Sequence, residues 1–162
     1  MRKPGAKRGM AKEKPVVVFL AGTFDGIHAG HVKLFEFARK QGRKLQAKLR
    51  RPGTKLHIIV ARDSSVRKWK GRPPVQNERE RLSVVQQLRD VDAAFLGHPT
   101  DFFESVRKIR PDVIVLGHDQ GDAALIKRLN GMGYPLVVRC RPFNRHRLHS
   151  RILRKKKFIK KV

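Results

Sequence analysis

Five short apolar runs, each followed by a polar loop, place the strongest constraint on how this chain can fold. The runs occupy residues 15–21, 56–61, 91–96, 112–117 and 135–140, and β-branched side chains are frequent in them. Continuous apolar runs of this length are typical of strands in a parallel sheet that is covered on both faces. Helical patterns follow from residue 28 and over residues 78–89, 101–109 and 121–131. The alternation predicts an α/β fold with right-handed crossovers.

The loops that follow the strands are the expected place for a ligand. In open α/β sheets the binding crevice lies beyond the carboxyl ends of the strands, at the point where the strand order reverses. Residues 22–31, 62–77 and 117–121 each follow a predicted strand and therefore belong to that edge. Residues 62–77 show no apolar periodicity and contain Gly71 and Pro73-Pro74, so we expect an irregular loop there.

The charge of the chain is large and unevenly placed. Its 162 residues include 39 Lys and Arg against 13 Asp and Glu, a formal net charge of +26, whereas about 2–8 suits the solubility of a small domain. Such a charge favours an anionic partner, and RNA fits better than a membrane because no long amphipathic helix with a broad apolar face is evident. The residues expected to contact RNA are Arg2, Lys3, Lys7, Arg8, Arg43, Lys44, Lys48, Arg50, Arg51, Arg154, Lys155, Lys156, Lys157, Lys160 and Lys161. Solvated terminal tails are the alternative.

The length fits one domain with basic extensions at both termini. We expect a tail over residues 1–14, a nucleotide-binding domain over 15–147, and a basic helix or tail over 148–162. No apolar run has transmembrane length and no secretory signal is present, so the cytoplasm is the default location. Cys140 is the only cysteine, which excludes an internal disulfide and a cysteine-based zinc site. The remaining histidines have no metal-ligand spacing, so we predict no protein metal site.

Residues 22–31, with the sequence GTFDGIHAGH, carry the clearest chemistry. A strand runs into a glycine-containing loop, and a helix begins near Gly30. The free N–H groups and positive dipole end of a helix N-terminus suit a phosphate. His28 and His31 are three residues apart, so both imidazoles can lie on one face of the first turn and donate hydrogen bonds to phosphate oxygens. Gly22 and Gly30 allow backbone and ligand to approach closely.

The same segment resembles the HxGH signature of the nucleotidyltransferase superfamily, in its cytidylyltransferase-like branch. The matching residues are Thr23-Phe24-Asp25 and His28-Ala29-Gly30-His31, followed in the family's order by residues 60–66, 70–74, 78–81, 91–92 and 116–120. Over residues 16–140 the chain is most similar to archaeal-type FAD synthases, which join FMN to an adenylyl group. The resemblance implies a Rossmann-like, doubly wound, parallel five-stranded sheet, and by analogy a homodimer.

The resemblance also implies a role for each matching residue. His28, His31 and Lys70 would be catalytic, with the histidines holding the triphosphate and stabilising charge on the α-phosphate. The nucleotide-binding residues would be Gly22, Thr23, Phe24, Gly30, Arg81, Gly117, Asp119 and Ser150. Mg²⁺ would travel with ATP or CTP. The acceptor, for which FMN is the leading candidate, carries an ionised phosphate, so positioning and electrostatic stabilisation suffice for transfer with release of pyrophosphate.

Several of these residues have a structural interpretation as well. Lys70 and Arg81 could be solvated charges, and Asp119 could cap the helix that follows it. Trp69 could stack on a base or cover apolar surface, and Cys140 is expected in the core.

Two parts of the chain depart from the family's pattern. Ser150 alone keeps a hydroxyl where the family has a Ser/Thr-rich segment opening the last helix, and it could be a plain helix cap. Residues 43–55 look like a basic insertion between a helix and a strand. Two function classes therefore stay open: a nucleotidyltransferase, favoured by the specific motif, and an RNA-binding protein of the same fold, such as a ribosome component or a ribosome-associated factor.

Overall fold

The computed structural model of the chain describes residues 14–134 and 136–142. Strands and helices alternate along these residues, with one additional helix after the second strand. In chain order they are β1 (Val16–Gly22), α1 (Ala29–Leu49), β2 (Thr54–Val60), α2 (Asp63–Lys70), α3 (Glu78–Gln86), β3 (Ala93–Leu96), α4 (Phe102–Ile109), β4 (Val113–Leu116), α5 (Ala123–Gly131) and β5 (Val137–Arg139). All five predicted strands are present.

The five strands form one parallel sheet in the order β3-β2-β1-β4-β5. In the register of this sheet Val16 lies beside Thr54 of β2, and Val18 lies beside Val113 of β4. The chain first forms β2 and β3 on one side of β1, and then crosses to form β4 and β5 on the other side. The strand order therefore reverses between β1 and β4, and the carboxyl ends of these two strands frame the expected crevice.

Helices cover both faces of the sheet, each over its own apolar core. On one face α1 and α3 contribute Leu34, Phe35 and Val85 to a cluster with β1, β2 and β4. On the other face α4 and α5 contribute Val106 and Leu129 to a second cluster. The structure thus confirms the Rossmann-like, doubly wound parallel sheet of five strands.

Two connections differ from the sequence-based expectation. Residues 62–77, expected to be irregular, contain α2, an eight-residue helix that buries only Val66. A helix with one buried residue shows no apolar periodicity, which is why the pattern missed it. Its start is fixed instead by long-range contacts, since the backbone N–H groups of Asp63 and Glu78 each donate to the other's carboxylate, at 2.9 and 3.2 Å.

The second difference concerns the basic stretch at residues 43–55. Rather than forming a separate insertion, its first seven residues continue α1, which reaches Leu49 and is 21 residues long. The rest forms a tight turn and the start of β2. The N-terminal tail expected before β1 lies outside the described residues except for Lys14, and the basic helix or tail expected over residues 148–162 lies outside them entirely. Within the described part, no helix has the length and apolar character that crossing a membrane requires.

Candidate functional site

A cavity of about 640 Å³ opens at the carboxyl edge of the sheet, where the strand order reverses. It is lined by the end of β1, the first turn of α1, the end of β4 and the residues around Lys70. Of the catalytic and nucleotide-binding residues expected from the sequence, those that line it are Gly22, Thr23, Phe24, His28, Gly30, His31, Lys70, Gly117 and Asp119. Nine residues from four separate segments therefore meet around one space.

His28 begins the first turn of α1 and also faces the cavity. It is the N-cap residue, and its Nδ1 accepts a hydrogen bond of 3.1 Å from the backbone N–H of Gly30. A neutral imidazole that accepts at Nδ1 carries its proton on Nε2. The cap therefore fixes the tautomer of His28 and leaves Nε2–H as the donor of the ring.

His31 lies one turn further along α1, stacked on His28. The ring centroids are 3.9 Å apart, with an interplanar angle of 24°. Burial lowers the pKa of His31 to about 4, His28 and Lys70 add to the lowering, and Asp119 opposes it. Its Nδ1 is buried and has no hydrogen-bond partner among the described residues. A buried polar atom without a partner is costly, so this nitrogen is suited to a ligand group.

Phe24 packs against the ring of His31 and so supports the histidine pair. Its backbone has a φ of 52°, which is uncommon for a bulky residue, and its ring is 2% exposed. The ring lies 5.2 Å from that of His31 and 5.8 Å from that of Phe35. Gly22 makes room for it, because a Cβ at this position would lie 2.7 Å from Cζ of Phe24. The absence of a side chain at Gly22 therefore leaves the space that the Phe24 ring needs in order to pack against His31.

Arg81 is fully buried and does not line the cavity. Its guanidinium donates to the carbonyl oxygens of Gln76, Thr23 and Ala61, and it pairs with Asp63 at 2.7 Å. These bonds tie α2 and α3 to the loop after β1. The sequence-based expectation of a phosphate contact at Arg81 finds no support in this placement, because its donors are engaged with protein oxygens.

Two residues that sequence reasoning did not select help to shape the site. The carboxylate of Asp25 accepts from the backbone N–H groups of Val75 and Gln76, at 3.0 and 3.1 Å, and so holds the segment before α3 against the loop after β1. The side chain of Gln120 accepts from the N–H of Gly117 and donates to the carbonyl of Ala21, both at 2.9 Å. Gln120 thereby joins the ends of β1 and β4. Both residues stand in segments that match the family's pattern, and that match is the signal that could have found them.

Lys70 and Asp119 approach the cavity from opposite sides. Lys70 ends α2, while Asp119 follows β4 and its side chain is 73% exposed. Partial burial lowers the pKa of Lys70, and the nearby carboxylate of Asp119 opposes this. Asp119 does not cap α5, since the N-cap is Asp122, whose carboxylate accepts from Leu125 N–H. The capping interpretation of Asp119 is therefore wrong.

The remaining candidate residues either line the cavity or lie outside the described residues. Trp69 lines the cavity and is 64% exposed, and Cys140 lines it while packing partly against the core. Ser150 lies outside the described residues, as do the basic candidates of both tails. Across the described residues, no group of three His, Cys, Asp or Glu side chains is placed to hold a metal ion.

Comparison with known proteins agrees with this geometry. The sequence model of the Cytidylyltransferase-like family matches residues 19–158. The chain belongs to this family. The match begins within β1, includes the histidine pair and extends past β5, so all residues that line the cavity lie inside it.

Relatives within the family are similar over nearly their whole length. The FAD synthase of Methanothermus fervidus is 43% identical over 144 residues, which are 87% of this chain and 90% of that protein. The FAD synthase of Thermoplasma acidophilum is 36% identical over 144 residues, with 87% and 93% covered. A crystal structure of the lipopolysaccharide core biosynthesis protein from Thermoplasma volcanium has a TM-score of 0.68 and 32% identity, covering 80% of this chain and 98% of that one. The chain is therefore a nucleotidyltransferase-superfamily member similar to archaeal FAD synthases.

Proposed function

We propose that this chain transfers the adenylyl group of MgATP to the phosphate of FMN, forming FAD and releasing pyrophosphate. The single observation that carries the proposal is the histidine pair of α1: two stacked imidazoles facing the cavity, with the buried Nδ1 of His31 lacking a partner among the described residues. The similarity to FAD synthases along 87% of the chain supports FMN and ATP as the substrates.

The reaction needs no general base. An ionised oxygen of the FMN phosphate attacks the α-phosphorus of ATP, and a new P–O bond forms. The bond between the α-phosphorus and the oxygen that bridges to the β-phosphorus breaks, and its electron pair leaves with pyrophosphate. The protein's task is to position the two phosphates and to stabilise the negative charge that builds up between them.

His28 and His31 fit this task through their hydrogen-bonding capacity. Because Nδ1 of His28 accepts from Gly30 N–H, the neutral ring carries its proton on Nε2, and this is the atom that would donate to a triphosphate oxygen. His31 is neutral in the free protein because burial lowers its pKa to about 4. A bound triphosphate would bring negative charge next to His31 and raise its pKa, so a charged, stronger donor would form there as the ligand arrives.

The two sides of the cavity suit two different substrates. On the β4 side Gly117 and Asp119 stand where a nucleoside would bind at the strand-order reversal. On the β2 side the lining includes Ser65, Trp69 and His98, and the exposed indole of Trp69 offers a flat surface for a ring system. Lys70, which ends α2 and lines the cavity, would contact the transferred phosphates. Mg²⁺ would enter with the triphosphate as part of the substrate.

The test is FAD formation by protein purified through nuclease and high salt. MgATP and FMN are supplied, and FAD and pyrophosphate are quantified together. Equal amounts of both products are expected. Riboflavin, which lacks the phosphate, should give neither, and CTP in place of ATP should give no product with FMN.

Matched variants separate chemistry from folding. The double variant His28→Ala, His31→Ala should lose FAD formation, whereas His57→Gln should retain it, because His57 lies on β2 outside this cavity. Pyrophosphate without FAD, or equal loss in both variants at unchanged thermal stability, would contradict the proposal. The cytoplasmic location and the homodimer expected from the sequence stay predictions.

A further inference from the structure

The outer side of α1 carries a dense row of positive charge far from the cavity. From Phe37 to Arg62 the chain contains no acidic residue. Five exposed cations belong to the second half of α1 and the residue that caps it: Lys40, Arg43, Lys44, Lys48 and Arg50. We call these five residues the α1 cationic surface. None of them forms an ion pair with another described residue.

Two neighbouring arginines do form ion pairs, so carboxylates are available close to this region. Arg39 pairs with Asp92 at 2.8 Å, and Arg51 pairs with Asp112 at 2.7 Å. Both carboxylates also accept backbone N–H groups of the sheet. Arg39 and Arg51 therefore hold the fold together, and we leave Arg51 out of the surface although the sequence had suggested it for RNA.

The arrangement of the surface works against the stability of the helix. Lys40, Lys44 and Lys48 are spaced four residues apart and so lie above one another on one face. Like charges at this spacing repel, and an exposed helix ordinarily alternates its charges to avoid this. Packing of α1 against the core does not account for these lysines either. Leu45 still contacts the core, but Leu49, one turn later, is 42% exposed, so the core no longer covers the end of the helix.

The surface lies at the end of the sheet opposite the cavity. Gly42 presses α1 against the first residues of the sheet, since a Cβ there would lie 2.6 Å from Cγ2 of Val18 and 3.2 Å from Cγ2 of Thr54. The following turns continue past the amino ends of β1 and β2. The backbone N–H of Val16 donates to Gly53, so the chain before β1 starts beside this turn. That preceding segment, residues 1–14, has six cations against one acid.

We propose that the α1 cationic surface binds the phosphate backbone of a nucleic acid, with RNA as the partner, independently of the nucleotide cavity. The row from Lys40 to Lys48 extends about 12 Å along the helix axis, which is roughly the rise of three to four base pairs along the axis of a duplex. A membrane surface fits less well, because the apolar face of α1 is buried in the core and Leu49 is the one large apolar side chain exposed on this half of the helix.

The test compares two full-length triple variants that lose the same charge. The first is Lys40→Ala, Lys44→Ala, Lys48→Ala. The control is Lys68→Ala, Lys108→Ala, Lys127→Ala, whose three lysines are also exposed and free of ion pairs with described residues. Binding to single-stranded RNA, duplex RNA and duplex DNA is followed by anisotropy over salt concentrations from about 50 to 200 mM.

The expected result is a change in salt dependence that is specific to the first variant. The slope of log affinity against log salt for single-stranded RNA should fall by about 2, three contacts at about 0.7 each, while the control keeps the wild-type slope. Acetylation of Lys40, Lys44 and Lys48 should be suppressed by RNA, and that of the control lysines should not. Thermal unfolding of the first variant should occur no lower than in the wild type, since the substitutions remove repulsion.

Three outcomes would overturn the proposal. Equal loss of slope in both variants would mean that bulk charge alone attracts the RNA. An unchanged slope in both would assign binding to other parts of the chain. Binding to anionic lipid vesicles that depends on these lysines, without a matching effect on RNA, would make the partner a lipid surface.

Discussion

The imidazole rings of His28 and His31 stack at a centroid separation of 3.9 Å inside the cavity at the carboxyl edge of the sheet. One ring completes the helix cap, and the other is supported by Phe24 on its far side. Two neutral rings can stack in this way, whereas two charged rings would repel. Burial keeps the His31 ring of this pair neutral, since its pKa lies at about 4, and an anionic ligand beside it would favour the charged form.

The variant His31→Gln tests the contribution of the buried ring to the reaction. The amide keeps a donor but cannot become a cation, so transition-state charge is less well stabilised. We expect kcat for FAD formation to fall by about 10²–10³, with a smaller change in KM for ATP. Steady-state kinetics measures both. A change in KM alone would show that His31 only binds the ground state.

The pH dependence of stability should report the low pKa of His31. In the unfolded chain a histidine titrates near 6.5, and in the folded protein His31 titrates at about 4. Between these values the unfolded state binds more protons, so stability rises with pH and is lost on acidification from about 6.5 to 4. The loss from this residue is about 3 kcal/mol, 2.5 pKa units at about 1.36 each.

The variant His31→Gln isolates that contribution, because every other titrating group is retained. Urea unfolding at a series of pH values between these limits should give a shallower dependence in the variant than in the wild type. Parallel curves would show that His31 has an ordinary pKa in the folded protein. Addition of MgATP to the wild type should also reduce the loss at acid pH, because the triphosphate favours the protonated ring.

Replacement of Arg81 by Met should destabilise the fold strongly. It removes the only fully buried charged side chain among the described residues and leaves Asp63 and three carbonyl oxygens without their donor. Loss of one partner of a buried ion pair costs about 3–5 kcal/mol. Denaturant unfolding measures the change. The exposed neighbour Arg79→Met should stay within about 0.5 kcal/mol of wild type, and a similar small effect at Arg81 would contradict its role as a tie between α2, α3 and the loop after β1.

The close contact between Gly22 and Phe24 predicts that Gly22→Ala disturbs the site. The new Cβ would meet Cζ of Phe24 at 2.7 Å, and the aromatic ring, which packs 5.2 Å from that of His31, would have to shift. We expect a loss of about 1–3 kcal/mol in stability together with reduced FAD formation. The control is Gly131→Ala at the end of α5, where nothing lies within 4 Å of the added atom.

The control glycine should behave in the opposite direction. Alanine at position 131 lowers the cost of fixing a helical residue, so stability should be unchanged or rise by up to about 1 kcal/mol. The double variant Gly22→Ala, Phe24→Leu should recover part of the stability lost by Gly22→Ala, because the smaller side chain relieves the overlap. Additive losses in the double variant would show that the two residues do not interact.

The sequence by itself determined the architecture and the position of the candidate site. Strand runs and helix starts are local patterns of apolarity and turn chemistry, so β1 to β5 and the loop from Gly22 to His31, which we propose as the phosphate site, could be located without coordinates. The family resemblance followed from the same short segments. These features depend on residues close together in the chain.

Only the tertiary structure decided what the charged residues do. Sequence reasoning treated Arg81 as a phosphate contact and the segment containing α2 as a loop, but Arg81 is buried among carbonyl oxygens and α2 is fixed by the reciprocal contact of Asp63 and Glu78. Whether a cation is paired, buried or exposed depends on groups distant in sequence. Arg51 pairs with Asp112, whereas the neighbouring Arg50 has no ion pair with any described residue. A local pattern contains no information about such partners, because they are brought together only when the sheet forms.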